Sequence, residues 1–241
     1  MTVSGTFDLY ITNVCNLHCT NCIVLDYKGR VTIPHLSLAE IEDILLQIPV
    51  KLEQIQLVGG EPTLHPELED ILLAVRNSGK AERISIVTNG TNYTPKIARI
   101  LEQFDQVVHT DYTELGGETP QLPHFVNKVY PRSTFDEWFT EAPGFEYNKM
   151  RNWHRCYLKL CYVLTKEGVY HCPITMNEKV EVIPYSKLKN FRERRKPLDF
   201  CEHCPQPCEQ RTWSSNRPKT DKRVYDEGRI QLVQLLETIN N

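Results

Sequence analysis

Apolar positions between residues 7 and 112 alternate between short β-like runs and stretches with helical spacing. Phe7 to Ile11, Ile55 to Val58, Arg83 to Thr88 and Gln106 to His109 read as strands, rich in β-branched residues and bounded by turn formers. Between them lie three helices. Ser37-Leu38-Ala39-Glu40 reads as a capping box opening a helix through Ile41, Leu45 and Ile48, stopped by Pro49. Pro66 sits at the first turn of a second helix, through Leu68, Ile71, Leu72 and Val75 to Gly79. Thr94-Pro95 opens a third through Ile97, Ile100 and Leu101. Strands alternating with helices of this length predict parallel βα units, closed or partly closed into a barrel. From residue 113 to 150 the rhythm breaks at Gly116, Gly117, Pro120, Pro123, Pro131 and Pro143, with Phe125 to Tyr130 strand-like in between. A full eight-stranded barrel needs about 250 residues. The expectation is therefore an α/β fold, a shortened parallel (β/α) barrel of about five to six strands over residues 1–150.

Composition narrows the class. The 241 residues are 40% hydrophobic, enough for a proper core. Net charge is −3, from 28 basic and 31 acidic residues, which makes no case for nucleic acid or a membrane. Residues 187–223 are the exception, with 11 Lys/Arg against 5 Asp/Glu; Arg192, Arg194, Arg195 and Lys196 read as a solvated helix face. The N-terminus lacks a signal-peptide pattern, so the nine clustered cysteines read as metal ligands of a cytoplasmic protein rather than a disulfide framework.

Cys15, Cys19 and Cys22 form a C-x3-C-x2-C run directly after the first strand. Three thiolates in so short a span can wrap one metal centre but cannot complete a four-cysteine iron–sulfur cage. A structural zinc knuckle would want a fourth ligand near by, and the next cysteine is Cys156. Downstream, Gly59-Gly60-Glu61-Pro62 ends the second strand and Thr88-Asn89-Gly90 ends the third. Two glycines admit close backbone approach, and the acidic side chain can accept from an ammonium.

The three motifs in this order resemble the radical S-adenosylmethionine (SAM) enzymes. The resemblance covers about residues 7–112 well. It implies a [4Fe-4S] cluster on Cys15, Cys19 and Cys22 that binds SAM through its open iron and cleaves it reductively, giving a 5′-deoxyadenosyl radical that abstracts hydrogen. It implies SAM contacts from Gly59, Gly60, Glu61, Thr88 and Asn89, with His109 at the end of the fourth strand. Asn21 stands where the family has an aromatic residue that packs near the adenine. His18 reads as a packing residue rather than a ligand.

The other six cysteines are Cys156, Cys161, Cys172, Cys201, Cys204 and Cys208. A hairpin pattern with a Lys-Glu-Gly turn lies between Cys161 and Cys172, and C-x2-C follows at Cys201 and Cys204. Spacing alone fits a zinc ribbon or an iron–sulfur site. Together with the upstream motifs it resembles the auxiliary-cluster extension called SPASM or its shorter form, twitch, over residues 151–241. Six thiols allow one auxiliary [4Fe-4S] cluster. Cys161, Cys172, Cys201 and Cys204 match twitch; SPASM would recruit Cys156 and Cys208. A spare thiol, Cys208 or Cys156, can be a hydrogen donor, although a buried cysteine is usually inert.

The function implied is oxidation or epimerisation of a small polar molecule such as a sugar, aminocyclitol or nucleotide derivative, with a flavodoxin- or ferredoxin-like electron donor. A barrel pattern starting near residue 7 leaves no leader-gripping segment ahead of it, so maturation of a ribosomally made peptide, with the leader bound by a separate protein, is the second reading. A plain electron-transfer protein would leave the Gly-Gly-Glu and Thr-Asn-Gly turns without purpose.

Overall fold

The computed structural model describes residues 2–17, 35–111, 122–131, 160–177 and 182–191, with short pieces at 139–140, 198 and 212–213. Its main sheet is built from β1 (Thr2–Thr12), β2 (Lys51–Gly59), β3 (Ala81–Thr88), β4 (Gln106–Asp111) and β5 (Val126–Pro131). After the two-residue β6 (Phe139–Thr140) come β7 (Cys161–Thr165) and β8 (Gly168–Tyr170). The spatial order is β5-β4-β3-β2-β1-β7-β8. Every neighbouring pair from β5 to β7 is parallel, and β8 is antiparallel to β7. Six parallel strands match the expected count. Their order does not follow the chain, because β7 lies on the far side of β1 from β2. The hairpin read as part of the extension thus continues the barrel sheet. A second, two-stranded sheet pairs β6 with β9 (Thr212–Trp213).

The helices α1 (Leu38–Gln47), α2 (Leu68–Ser78) and α3 (Pro95–Leu101) follow from the local signals. Ser37 accepts from the Glu40 backbone N–H while the Glu40 carboxylate accepts from that of Ser37, a complete capping box. Thr94 caps α3, and Gly79 closes α2 with φ +64°. Helix α2 begins at Leu68, later than expected: Pro66 belongs to the preceding turn, where Nδ1 of His65 accepts the Glu67 N–H at 3.1 Å.

One face of the sheet carries the apolar core. Phe7, Leu9 and Ile11 of β1, Ile55 and Leu57 of β2, Ile86 of β3 and Tyr162 and Leu164 of β7 join the α1, α2 and α3 side chains in it. By the strand period of two, Asp8, Gln56, Ser85 and Val163 face the other way. A short α4 (Pro173–Asn177) follows the hairpin. Among the described residues no helix is long and apolar enough to cross a membrane.

Candidate functional site

The C-terminal ends of β1, β2 and β3 come together at one rim. The β2 turn lies directly on the cysteine loop: the Gly60 N–H donates to the Thr12 carbonyl at 2.8 Å and the Glu61 N–H to the Val14 carbonyl at 2.8 Å. This contact is what demands glycine. A Cβ on Gly59 would stand 2.1 Å from the Thr12 carbonyl oxygen, and one on Gly60 2.3 Å from that of Val14. Gly59 also has φ +152°, where side chains rarely go. The close approach read from the sequence is therefore one of backbone to backbone, seating the loop that holds Cys15.

Glu61 ties this turn to the next. Its Oε1 accepts from the Thr63 N–H at 3.1 Å, the Thr63 hydroxyl at 2.6 Å and the Thr88 hydroxyl at 2.8 Å; Oε2 accepts from the Asn89 N–H at 2.7 Å. The residue is 1% exposed. Burial pushes its carboxyl pKa up, and the donors from Asn89, Thr63 and Thr88 oppose that shift. Three of these four donors sit on Oε1, so Oε2 is the atom with acceptor capacity left for an ammonium.

Asn89 reaches back across the rim. Its Nδ2 donates to the Asn16 side-chain oxygen at 3.1 Å and lies 3.9 Å from Sγ of Cys15, while its Oδ1 accepts from the N–H and hydroxyl of Thr91. The Asn16 amide donates to the Thr91 hydroxyl at 2.7 Å, and the Leu17 N–H points at Sγ of Cys15 from 3.4 Å. A sulfur met by two N–H groups fits a cluster-bound thiolate, since hydrogen bonds to sulfur are a standard way of tuning such clusters. Beneath the loop, the Thr12 hydroxyl shares a 2.9 Å hydrogen bond with Nδ1 of His35, whose ring packs edge-on against His65.

Of the residues expected here, Cys15, Gly59, Gly60, Glu61, Thr88 and Asn89 converge on this rim. Cys19, Cys22 and Asn21 lie outside the described residues. His109 stands beside the Thr-Asn-Gly turn on the neighbouring strand. It has the pleat parity of Thr88, shares a 2.8 Å hydrogen bond with the Tyr93 hydroxyl, and packs where a Cβ on Gly90 would meet Cε1 of its ring at 2.1 Å. Its ring packs directly against the Thr-Asn-Gly turn at Gly90. Asn16, Thr63 and Thr91 are members of the network that sequence reasoning missed. Small polar residues one or two positions from each motif were the available signal.

Cys161 and Cys172 lie lower on the sheet. The hairpin pairs Val163 with Tyr170 and Leu164 with Val169 around the Lys166-Glu167 turn. The ladder ends at that first pair; beyond it the rings of Tyr162 and His171 are 6.5 Å apart, and Cys172 lies past the end of β8. Cys161, level with Thr6, has the parity of Asp8 and Val163 on the face away from the helices, while the Cys172 N–H donates to the Thr175 hydroxyl at 3.1 Å at the start of α4. Cys156, Cys201, Cys204 and Cys208 lie outside the described residues. Among those described, no group of three or more metal-ligating side chains is assembled.

A family model described as the radical SAM superfamily matches residues 9–140. The chain is 35% identical over 94 residues to a GTP 3′,8-cyclase of Pectobacterium atrosepticum, a match covering 38% of this chain and 29% of that protein. The fold is similar to crystal structures of BtrN. The complex with AdoMet and 2-DOIA gives a TM-score of 0.51 at 18% identity, covering 77% of this chain and 80% of that one. An open conformation gives 0.52 at 17% identity, covering 85% and 93%.

Proposed function

The chain belongs to the radical SAM superfamily, and on that premise we propose that it cleaves SAM at the Cys15 rim and oxidises a small polar substrate, a sugar, aminocyclitol or nucleotide derivative. The observation that carries this reading is the rim itself: the cysteine loop, the Gly-Gly-Glu turn and the Thr-Asn-Gly turn are fastened together by main-chain and carboxylate hydrogen bonds, with two N–H groups directed at Sγ of Cys15. Cys15, Cys19 and Cys22 would hold the four-iron cluster. When bound, cluster and SAM supply the electron transfer and the hydrogen abstraction.

The residues of this chain supply position and charge. Gly59 and Gly60 seat the loop, Glu61 offers Oε2 to the methionine ammonium, and Thr88 and Asn89 fix Glu61 in turn. Asn21 and His109 would complete the SAM site, Asn21 on the adenine side and His109 beside Gly90. Residues 151–241 would form a SPASM- or twitch-like unit with one auxiliary [4Fe-4S] cluster on Cys161, Cys172, Cys201 and Cys204. The hairpin that starts at Cys161 and turns the chain back toward Cys172 favours that pairing. The enzyme would work in the cytoplasm with a flavodoxin- or ferredoxin-like donor. A nucleotide substrate has support from the GTP 3′,8-cyclase match, although the chain spans 29% of that protein's length.

Oxidation and epimerisation separate in deuterated water. Oxidation gives a product two hydrogens short with no deuterium fixed at carbon. Deuterium at carbon of an unoxidised product, lost in Cys208→Ala or Cys156→Ala, would establish epimerisation instead.

A further inference from the structure

On the sheet face away from the helices, one register layer runs Val163, Asp8, Gln56, Ser85 and Gln106 across β7, β1, β2, β3 and β4. Barrel interiors are filled by layers of bulky branched apolar side chains. This layer is polar in four of those five places. Its side chains form a directed chain: the Gln54 amide donates to the Ser85 hydroxyl at 2.7 Å, that hydroxyl to Oε1 of Gln56 at 3.3 Å, and the Gln56 amide to Oδ1 of Asp8 at 3.1 Å. Every donor points toward Asp8.

Asp8 is 6% exposed, and the Gln56 amide is its one hydrogen-bond donor among the described residues. Those residues place no lysine or arginine on it; Arg83, one layer lower, pairs with Glu53 at 2.9 Å. A buried carboxyl wants a cation or several donors, and this one has a single neutral amide. Gln56 and Val163, its register neighbours on β2 and β7, are both uncharged.

Height on the sheet points the same way. Strand residues rise about 3.3 Å each, so Asp8 sits roughly 13 Å below Thr12 at the rim and about 7 Å above the level of Thr6 and Cys161. A cation bound to Asp8 would thus lie between the rim and the level of Cys161, on the sheet face away from the helices.

We propose that Asp8, held by the Gln54–Ser85–Gln56 chain, is the anchor for a protonated amine on the substrate, which makes the substrate an amino-bearing polyol or nucleoside rather than a neutral one. This rests on the small-polar-substrate reading and narrows it. Gln56 and Ser85 position the carboxylate, and Gln106 offers the neighbouring register place for a substrate hydroxyl.

The test is the thermal unfolding midpoint of the reconstituted full chain with SAM, read with matched amine and hydroxyl probes: streptamine against scyllo-inositol, glucosamine against glucose, and 3′-amino-3′-deoxyadenosine against adenosine. Ligands that bind the folded state raise the midpoint by mass action. In at least one pair the amine should bind at least about tenfold tighter than its hydroxyl partner, and Asp8→Asn should cut the ratio to within about twofold. Equal binding in all three pairs, binding by no amine, or an amine preference that survives Asp8→Asn would overturn the proposal. So would a lower midpoint of ligand-free Asp8→Asn at pH 8, the mark of a purely structural carboxyl. Iron content checks that the variant folds and loads. Since the readout needs no turnover, its failure leaves SAM cleavage standing. Iron-loaded protein that prefers the amine yet never cleaves SAM would break the radical SAM reading alone.

Discussion

Cys15 stands above the C-terminal end of β1, and Cys161 stands on the adjacent strand level with Thr6, roughly 20 Å lower by strand rise. Around Cys15 the chain is irregular, and order comes from specific bonds: Gly60 and Glu61 N–H groups on the loop carbonyls, the Glu61 carboxylate on the next turn, Asn89 back to Asn16. Around Cys161 order comes from the ladder itself, with β7 parallel to β1 on one side and antiparallel to β8 on the other. The rim is thus sensitive to single atoms, whereas the strand that starts at Cys161 is secured by repetition. Between them lies the Asp8 layer, where the sheet spends neither kind of order on an apolar contact.

The largest stability effect should come from the rim. Gly59→Ala forces a Cβ to within 2.1 Å of the Thr12 carbonyl oxygen at φ +152°. The expected cost is about 4 kcal/mol, a fall in midpoint on the order of 8–16 °C for a chain of this size. A loss below about 1 kcal/mol would show that the loop floats free of the turn.

The middle layer should respond with the opposite sign. Burial raises the Asp8 carboxyl from 3.8 to about 7, against the Gln56 hydrogen bond that lowers it. The folded chain holds a proton there that the unfolded chain releases above about pH 4, so stability should fall as pH rises through that interval to about 7. Asp8→Asn cannot ionise. Relative to wild type it should gain roughly 3 kcal/mol on going from pH 4 to pH 8, read by denaturant melts at both pH values. An unchanged difference would place Asp8 in a wetter setting than the structure gives.

Much of this was legible in the sequence, and the reasons it stopped are local. The capping box at Ser37, the Thr94-Pro95 start and the Gly79 stop are chemical signals confined to one turn, and each element appeared where they put it. The place of β7 beside β1 was not legible, since a parallel pairing between residues so far apart leaves no mark in either segment. Nor was the reason for Gly59 and Gly60: a glycine announces close approach without naming what approaches. Asp8 passed unnoticed because Phe7-Asp8-Leu9-Tyr10-Ile11 is an ordinary alternation. Its meaning appears only when Gln56 and Ser85 fall into register with it.

A smaller effect should follow at Glu61. Glu61→Gln keeps the shape but turns an acceptor into a donor facing donors from Thr63, Thr88 or Asn89. The expected loss is about 2 kcal/mol, with weaker SAM cleavage and normal iron content. Full stability would mean the staple is dispensable. Smallest of all, Lys166→Ala removes the hairpin-turn ion pair with Glu40 on the first turn of α1. Both groups are partly exposed, so the cost should stay below about 1 kcal/mol, and a larger one would make the hairpin depend on α1 rather than on its ladder.

The most direct measurement is 5′-deoxyadenosine formed from SAM and dithionite by anaerobically reconstituted protein, wild type against Cys15→Ala with Cys19→Ala and Cys22→Ala. The account predicts about eight irons and nucleoside formation in wild type. In the variant it predicts about four irons, held by Cys161, Cys172, Cys201 and Cys204, and no nucleoside. Iron-loaded wild type that forms none, or a variant that still does, would contradict it.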